Sequence, residues 1–256
     1  MRRLGRLVLL LVSSHLPGCG EGPLDAVVLP PRDLTDALIA HWRFDEGSGA
    51  IVADSSGNGH DGQITTATWI SDGRFAQALR LGAGDAVAIP SFPAATPNWS
   101  VSAWIRLSPE QMAANTEFWA TILSTEILAS GGWEMNIDSH PPTPRFVFSY
   151  WSSPLMGYVV TGCECVETGR WIHLAAVVDA AANHVTLYRD GKVVAQRTRP
   201  SDFTPGDPTL YLGRWGAGGR ILNGDLDDVA VWGRALAAIE VAALTAGPPG
   251  DAARGP

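Results

Sequence analysis

Residues 185 to 196, VTLYRDGKVVAQ, place two runs rich in β-branched residues on either side of Asp190-Gly191. An Asp-Gly pair supplies the two positive-φ positions of a tight turn whose twist matches paired strands, so the segment predicts a hairpin. The same grammar recurs along the chain. Ile39 to Phe44, Ala86 to Ile89, Trp99 to Leu107, Trp133 to Ile137, Arg145 to Trp151, Trp171 to Val178, Thr209 to Leu212 and Asp227 to Trp232 are short runs bounded by turn-forming residues. Only Ala237 to Leu244 has helical character. Many strands with no alternating helices predict an all-β chain, an antiparallel two-sheet jelly-roll sandwich with one short C-terminal helix; a barrel is the alternative. The chain has 10 tryptophans, most of which should fill the space between two sheets.

The first residues have a different character. Arg2, Arg3 and Arg6 precede an apolar stretch from Leu7 to Val12 that is far shorter than the roughly 20 residues of a membrane-spanning helix, so residues 1–18 read as a secretory signal. Leu16-Pro17-Gly18-Cys19 resembles a bacterial lipoprotein cleavage box, which implies a lipid on Cys19 and a place on the cell envelope, outer membrane or cell surface; plain secretion is the alternative. Residues 19–36 read as a tether, 37–246 as the folded domain and 247–256 as a disordered tail.

Loss of three arginines with residues 1–18 takes the formal charge from −8 to −11. An acidic surface repels phosphate, which argues against nucleic acid and against an anionic membrane as partner, apart from the lipid anchor itself. Cys163 and Cys165 are disulfide candidates in an exported protein. Extended backbone would separate their Cα atoms by about 6.6 Å, so a bridge needs a turn or bulge between them.

Eight segments in order resemble one family. LIAHWRFDEGSG at 38–49, ADSSGNGHDG at 53–62, GRFAQALRL at 73–81, WSVSAWIRL at 99–107, WIHLAAVVD at 171–179, VTLYRDGKVV at 185–194, LYLGR at 210–214 and GDLDDVAVWGRAL at 224–236 are similar to the LamG-like jelly-roll domains of the concanavalin A-like lectin and glucanase superfamily. The resemblance covers about Leu38 to Leu244, and is weakest from Ser108 to Gly169.

In DSSGNGHDG, Asp54, Ser56 and Asn58 stand at alternate positions before Gly59, repeating the first half of a calcium loop. The second half fails, because Thr65 occupies the place of the bidentate glutamate. A calcium would need carboxylates from elsewhere, and Asp225, Asp227 and Asp228 are the obvious donors, since three clustered acids repel unless solvent or a cation separates them. The resemblance implies a structural calcium held by Asp54, Asn58 and Asp227. Without an ion, the same residues make a polar turn.

The superfamily also contains glycoside hydrolases with acids at alternate positions on one strand. Glu134, Asn136 and Asp138 share such a face, but the middle residue is an amide, and Glu134 and Asp138 are about 13 Å apart along a strand, against the 5–5.5 Å of a retaining carboxyl pair. The sequence carries neither a zinc-binding HExxH nor a GxSxG elbow. A non-catalytic lectin-like module is therefore the leading expectation, with a carbohydrate or an extracellular protein as its partner. A polysaccharide-active enzyme and a structural envelope lipoprotein are the alternatives. Trp119, Tyr150, Trp151, Tyr158, Trp215 and Arg214 are the expected ligand contacts, with at most one of the adjacent Tyr150 and Trp151 in any one site.

Overall fold

The computed structural model describes residues 32–82, 84–114, 119–125, 131–139, 144–153, 156–162, 166–199 and 206–250. Cys19, Cys163, Cys165 and the signal segment lie outside the described residues, as does the side chain of Tyr158.

Among the described residues, sixteen strands and two short helices follow one another as β1 (Leu38–Trp42), β2 (Ile51–Val52), β3 (Gly62–Ile64), β4 (Thr68–Ile70), β5 (Ala78–Leu81), β6 (Val87–Ile89), β7 (Trp99–Arg106), α1 (Pro109–Ala114), β8 (Trp119–Ser124), β9 (Trp133–Asp138), β10 (Arg145–Ser153), β11 (Met156–Thr161), β12 (Trp171–Asp179), β13 (His184–Arg189), β14 (Lys192–Thr198), β15 (Leu210–Leu212), β16 (Gly224–Trp232) and α2 (Ala238–Ala243). They form two eight-stranded antiparallel sheets. The first runs β14-β13-β12-β7-β16-β5-β4, with β1 also on β16; the second runs β11-β10-β9-β8-β15-β6-β3-β2. This is the expected all-β jelly-roll sandwich. The helix α1, between β7 and β8, adds to the one expected helix; Ser108 before Pro109, with Gln111 three residues after the serine, is its start pattern.

Period-2 alternation places the core between the sheets. In the first sheet Val101, Ala103 and Ile105 of β7 and Ile172, Leu174, Ala176 and Val178 of β12 point inward. The second sheet answers with Trp133, Met135 and Ile137 of β9 and Phe146, Phe148 and Tyr150 of β10. Trp99 meets Trp133 and Phe148 across the gap, with ring centroids 4.7 and 5.5 Å apart. The Asp190-Gly191 turn forms as expected, with φ of 49° and 74°. Its glycine is also required by space, because a Cβ there would lie 2.9 Å from Ala242 Cα in α2.

A second apolar cluster covers the outer face of the first sheet. Ala175, Val177, Tyr188, Ala230 and Trp232 are roofed by Leu236, Val241 and Leu244. Glu240 holds α2 in place, accepting a hydrogen bond from the Ala237 N–H at 2.7 Å and an ion pair from Arg234 at 2.8 Å. Residues on both sides of the expected domain make defined contacts. In the segment read as tether, Leu34 O accepts the Trp232 indole N–H at 2.7 Å, and Asp33 O and Asp36 O accept Arg234. At the other end Pro248 and Pro249, in the segment read as a tail, are buried. Leu34 also packs against the Trp232 cluster on the outer face.

Candidate functional site

Directly opposed residues on neighbouring strands put their side chains on the same face of a sheet. In the second sheet the register opposes Gln63 to Ala88, Ala88 to Tyr211, Tyr211 to Ser124, Ser124 to Glu134 and Glu134 to Ser149. Since Trp133 and Met135 point into the core, this row lies on the outer face. A parallel row joins Thr121 and Asn136, and another joins Trp119, Asp138 and Arg145.

Glu134 is the anchor of this face. It is only 2% exposed although it points away from the core. Burying a carboxylate requires compensation. Arg220 supplies it, with Nη1 3.1 Å from both carboxylate oxygens, and Asn136 Nδ2 donates to Oε2 at 2.7 Å. Arg220 reaches the strand because the segment after β15 folds back over it. Gly218 N–H donates to Trp215 O, Leu222 N–H to Gly213 O, and Thr121 N–H to Arg220 O. Arg220 sits at a φ of 49°, the positive-φ position that turns its side chain over the sheet.

The same turn stacks two cations on two aromatic rings. The Arg220 guanidinium lies 4.3 Å from the Trp215 ring centroid and that of Arg214 lies 4.5 Å from Tyr211. Both rings are half-buried, so each keeps surface toward solvent. Trp215 Nε1, Arg214 Nε, Thr121 Oγ1 and Asn136 Oδ1 have no hydrogen-bond partner among the described residues. These atoms are themselves buried beneath the face, so the part-exposed groups above them, the Arg214 and Arg220 guanidiniums and the Tyr211 and Trp215 rings, are what the face presents outward.

Among the expected contacts, Arg214 and Trp215 fall on this face, and Trp151 and Trp119 border it, half-buried, on β10 and β8. Tyr150 does not. It is 0% exposed and packs against Phe148 in the core, which resolves the Tyr150/Trp151 alternation in favour of Trp151. Sequence reasoning missed Tyr211 and the Glu134–Arg220 pair. The alternation Leu210-Tyr211-Leu212 could have signalled the first; the second joins residues 86 positions apart through a turn with no local signature.

The expected calcium ligands do not fit an ion. Asp54 Oδ1 accepts His41 N–H and Ser56 N–H, and its Oδ2 accepts His60 N–H and Ser56 O–H, so all four lone-pair directions are filled. Burial would raise this carboxyl, but those hydrogen bonds outweigh it and hold it below the usual range. Asn58 donates its amide to Leu38 O and Ile39 O. Asp227 turns to the outer face of the first sheet, where it accepts Arg74 N–H and Phe75 N–H. Its acidic neighbours have partners within the protein. Asp225 takes Arg80 and Arg106, and Asp228, at a φ of 44° in a bulge of β16, meets His41. Among the described residues no group of three or more His, Cys, Asp or Glu is placed to hold a metal.

The Laminin_G_3 family model, described as the concanavalin A-like lectin/glucanases superfamily, matches residues 81–242. The chain belongs to this superfamily. No curated protein matches it. Among solved structures, this superfamily member resembles the binding domain of Paraclostridial Mosquitocidal Protein 1 (16% identity, TM-score 0.68, 83% of this chain and 52% of that one). It also resembles domain 4 of AbnA, a GH43 extracellular arabinanase from Geobacillus stearothermophilus, in complex with arabinotriose (22% identity, TM-score 0.61, 81% and 98%). A third is the botulinum neurotoxin serotype D ligand binding domain in complex with N-acetylneuraminic acid (16%, TM-score 0.62, 83% and 51%). The chain spans about half the length of the toxin domains it matches, and at these identities the likeness shows the fold.

Proposed function

We propose that the outer face of the second sheet binds a carbohydrate. The observation that carries this reading is the turn that lays Arg220 on Trp215 while gripping Glu134, beside the Arg214–Tyr211 stack. Two half-buried aromatic rings offer apolar surface to a sugar ring, and the part-exposed Arg214 and Arg220 guanidiniums offer the few directed hydrogen bonds that fix its orientation. Two of the structures with this fold are complexes with arabinotriose and N-acetylneuraminic acid, which adds support from the superfamily.

An apolar hollow of about 220 Å³ at the end of the same sheet, lined by Phe92, Ala94, Ala95, Trp133 and Asp207, is the competing location. It lacks paired cations on aromatic rings. Screening the whole chain on a glycan array tests the reading: retained glycans that are lost with Trp215→Ala support it, and glycans retained equally by that variant contradict it.

The sequence around Cys19 supports export and lipid attachment, which would tether this domain to the cell envelope. Mass spectrometry of the protein from membranes of a bacterial host tests this. A diacylglycerol-sized gain on Cys19, absent from Cys19→Ser, is expected, and an unmodified Cys19 would contradict it.

A further inference from the structure

The DSSGNGHDG loop holds more than a turn. Ser55 is exposed, and its Oγ lies 3.0 Å from His41 Nδ1. On the other side of the ring, His41 Nε2 lies 2.5 Å from Asp228 Oδ1. His41 and Asp228 are 2% and 3% exposed. A buried carboxylate against Nε2 selects the tautomer that carries its proton there, leaving the Nδ1 lone pair facing the serine hydroxyl. Three residues from β1, the loop and the β16 bulge thus make a hydroxyl, base and carboxylate in line. Ser55 Oγ is also 2.8 Å from His41 O, so its single proton has two acceptors, one of them basic.

This chain of groups opens on a polar hollow of about 390 Å³, whose walls include His41, Ser55, Ser56, Asn58, Arg43 and Thr35. We propose that Ser55, His41 and Asp228 form a nucleophilic site that takes a short acyl group from a small polar ester. This inference is independent of the carbohydrate-binding face, which lies on the other sheet.

The step balances without a further reagent. Ser55 Oγ attacks the ester carbonyl as its proton passes to His41 Nδ1, and Asp228 stabilises the resulting imidazolium. The alkoxy C–O bond breaks, and the leaving oxygen takes the proton from Nδ1. Water then repeats the sequence on the acyl-serine, with His41 as base, releasing the carboxylic acid and restoring Ser55. The hollow is polar and modest in size, which suits a short acyl group on a polar alcohol rather than a lipid ester.

Treatment of the whole chain with a small fluorophosphonate probe, followed by peptide mapping, tests this directly. The expected result is one adduct, on Ser55, absent from Ser55→Ala and from urea-unfolded protein. Asp228→Asn should retain the circular dichroism spectrum and label at least about a hundredfold more slowly. His41→Gln, with the same fold check, serves if Asp228→Asn does not fold. In parallel, release of p-nitrophenol from p-nitrophenyl acetate should fall to the background rate in Ser55→Ala. An unlabelled Ser55, an adduct placed elsewhere, or labelling equally fast in a folded Asp228→Asn or His41→Gln protein would overturn the proposal.

Discussion

Arg220 Nη1 lies 3.1 Å from each oxygen of Glu134, a pair that pins the turn after β15 to β9 across 86 residues of sequence. Glu134 is buried while Arg220 is about a third exposed, so the pair is half-desolvated. Removing the arginine would take a cation away from a buried carboxylate. Arg220→Ala should therefore destabilise the domain by about 2 kcal/mol, below the figure for a fully buried pair, read from urea unfolding. Glu134→Gln, which keeps the shape and removes the charge, should cost less. Equal losses in the two variants would mean that packing, rather than charge, holds the turn.

Trp215 contributes to binding more than to folding. It is half-buried and lies in a turn, outside both apolar cores. Trp215→Ala should lower affinity for a bound oligosaccharide about fivefold, ~1 kcal/mol, with little change in Tm. Isothermal titration beside a thermal melt separates the two effects.

The Asp54 carboxylate is occupied by donors from the protein itself. Asp54→Ala should lower stability by about 1–3 kcal/mol, because several loop N–H groups lose their acceptor. Added calcium should leave the Tm of wild type and variant unchanged. A calcium-dependent rise in Tm that Asp54→Ala abolishes would show that an ion competes successfully with those donors.

Two buried groups on the outer face of the first sheet give opposite pH dependences. Burial, with a smaller push from Asp228, raises the Asp227 carboxyl to about 7 despite hydrogen bonds from Arg74 and Phe75. Burial also lowers His173 to about 4, with Asp190 opposing and Arg74 assisting. Trp104 lies between them, opposite both in the register. The native state keeps a proton on Asp227 that the unfolded chain has lost, so that contribution falls as pH rises from about 4 to 7. The unfolded chain protonates His173 below its ordinary 6.5 while the native state does not, so that contribution falls as pH drops. The two offset each other in the wild type. Asp227→Asn removes the first, and its Tm should fall more steeply than that of wild type between pH 7 and pH 4.5. Parallel curves would contradict this assignment.

The sandwich was legible because its long strands alternate cleanly. β7, β12 and β13 carry apolar residues at every second position, and Asp190-Gly191 marks its own turn. The two- and three-residue strands β2, β3 and β4 are too short to show a period, and their pairing depends on partners distant in sequence. The site was half legible. Arg214 and Trp215 stand out as polar and aromatic residues after a strand, but Tyr150 and Trp151 are equivalent until the core chooses one. The acidic run before the last strand read as a metal site because sequence shows proximity along the chain, not direction. Asp225 pairs with arginines and Asp227 with backbone N–H groups, while the bulge at Asp228 turns its carboxylate to His41. Likewise, Ser55, His41 and Asp228 meet only because β1 pairs with β16 and the loop folds back on β1.

Hydrogen exchange of the whole chain with and without its best array glycan tests the central claim most directly. Added protection confined to β8, β9, β15 and the 213–222 turn is the predicted result. Protection at residues 92–95 and 206–208 instead, with none on those strands, would contradict it.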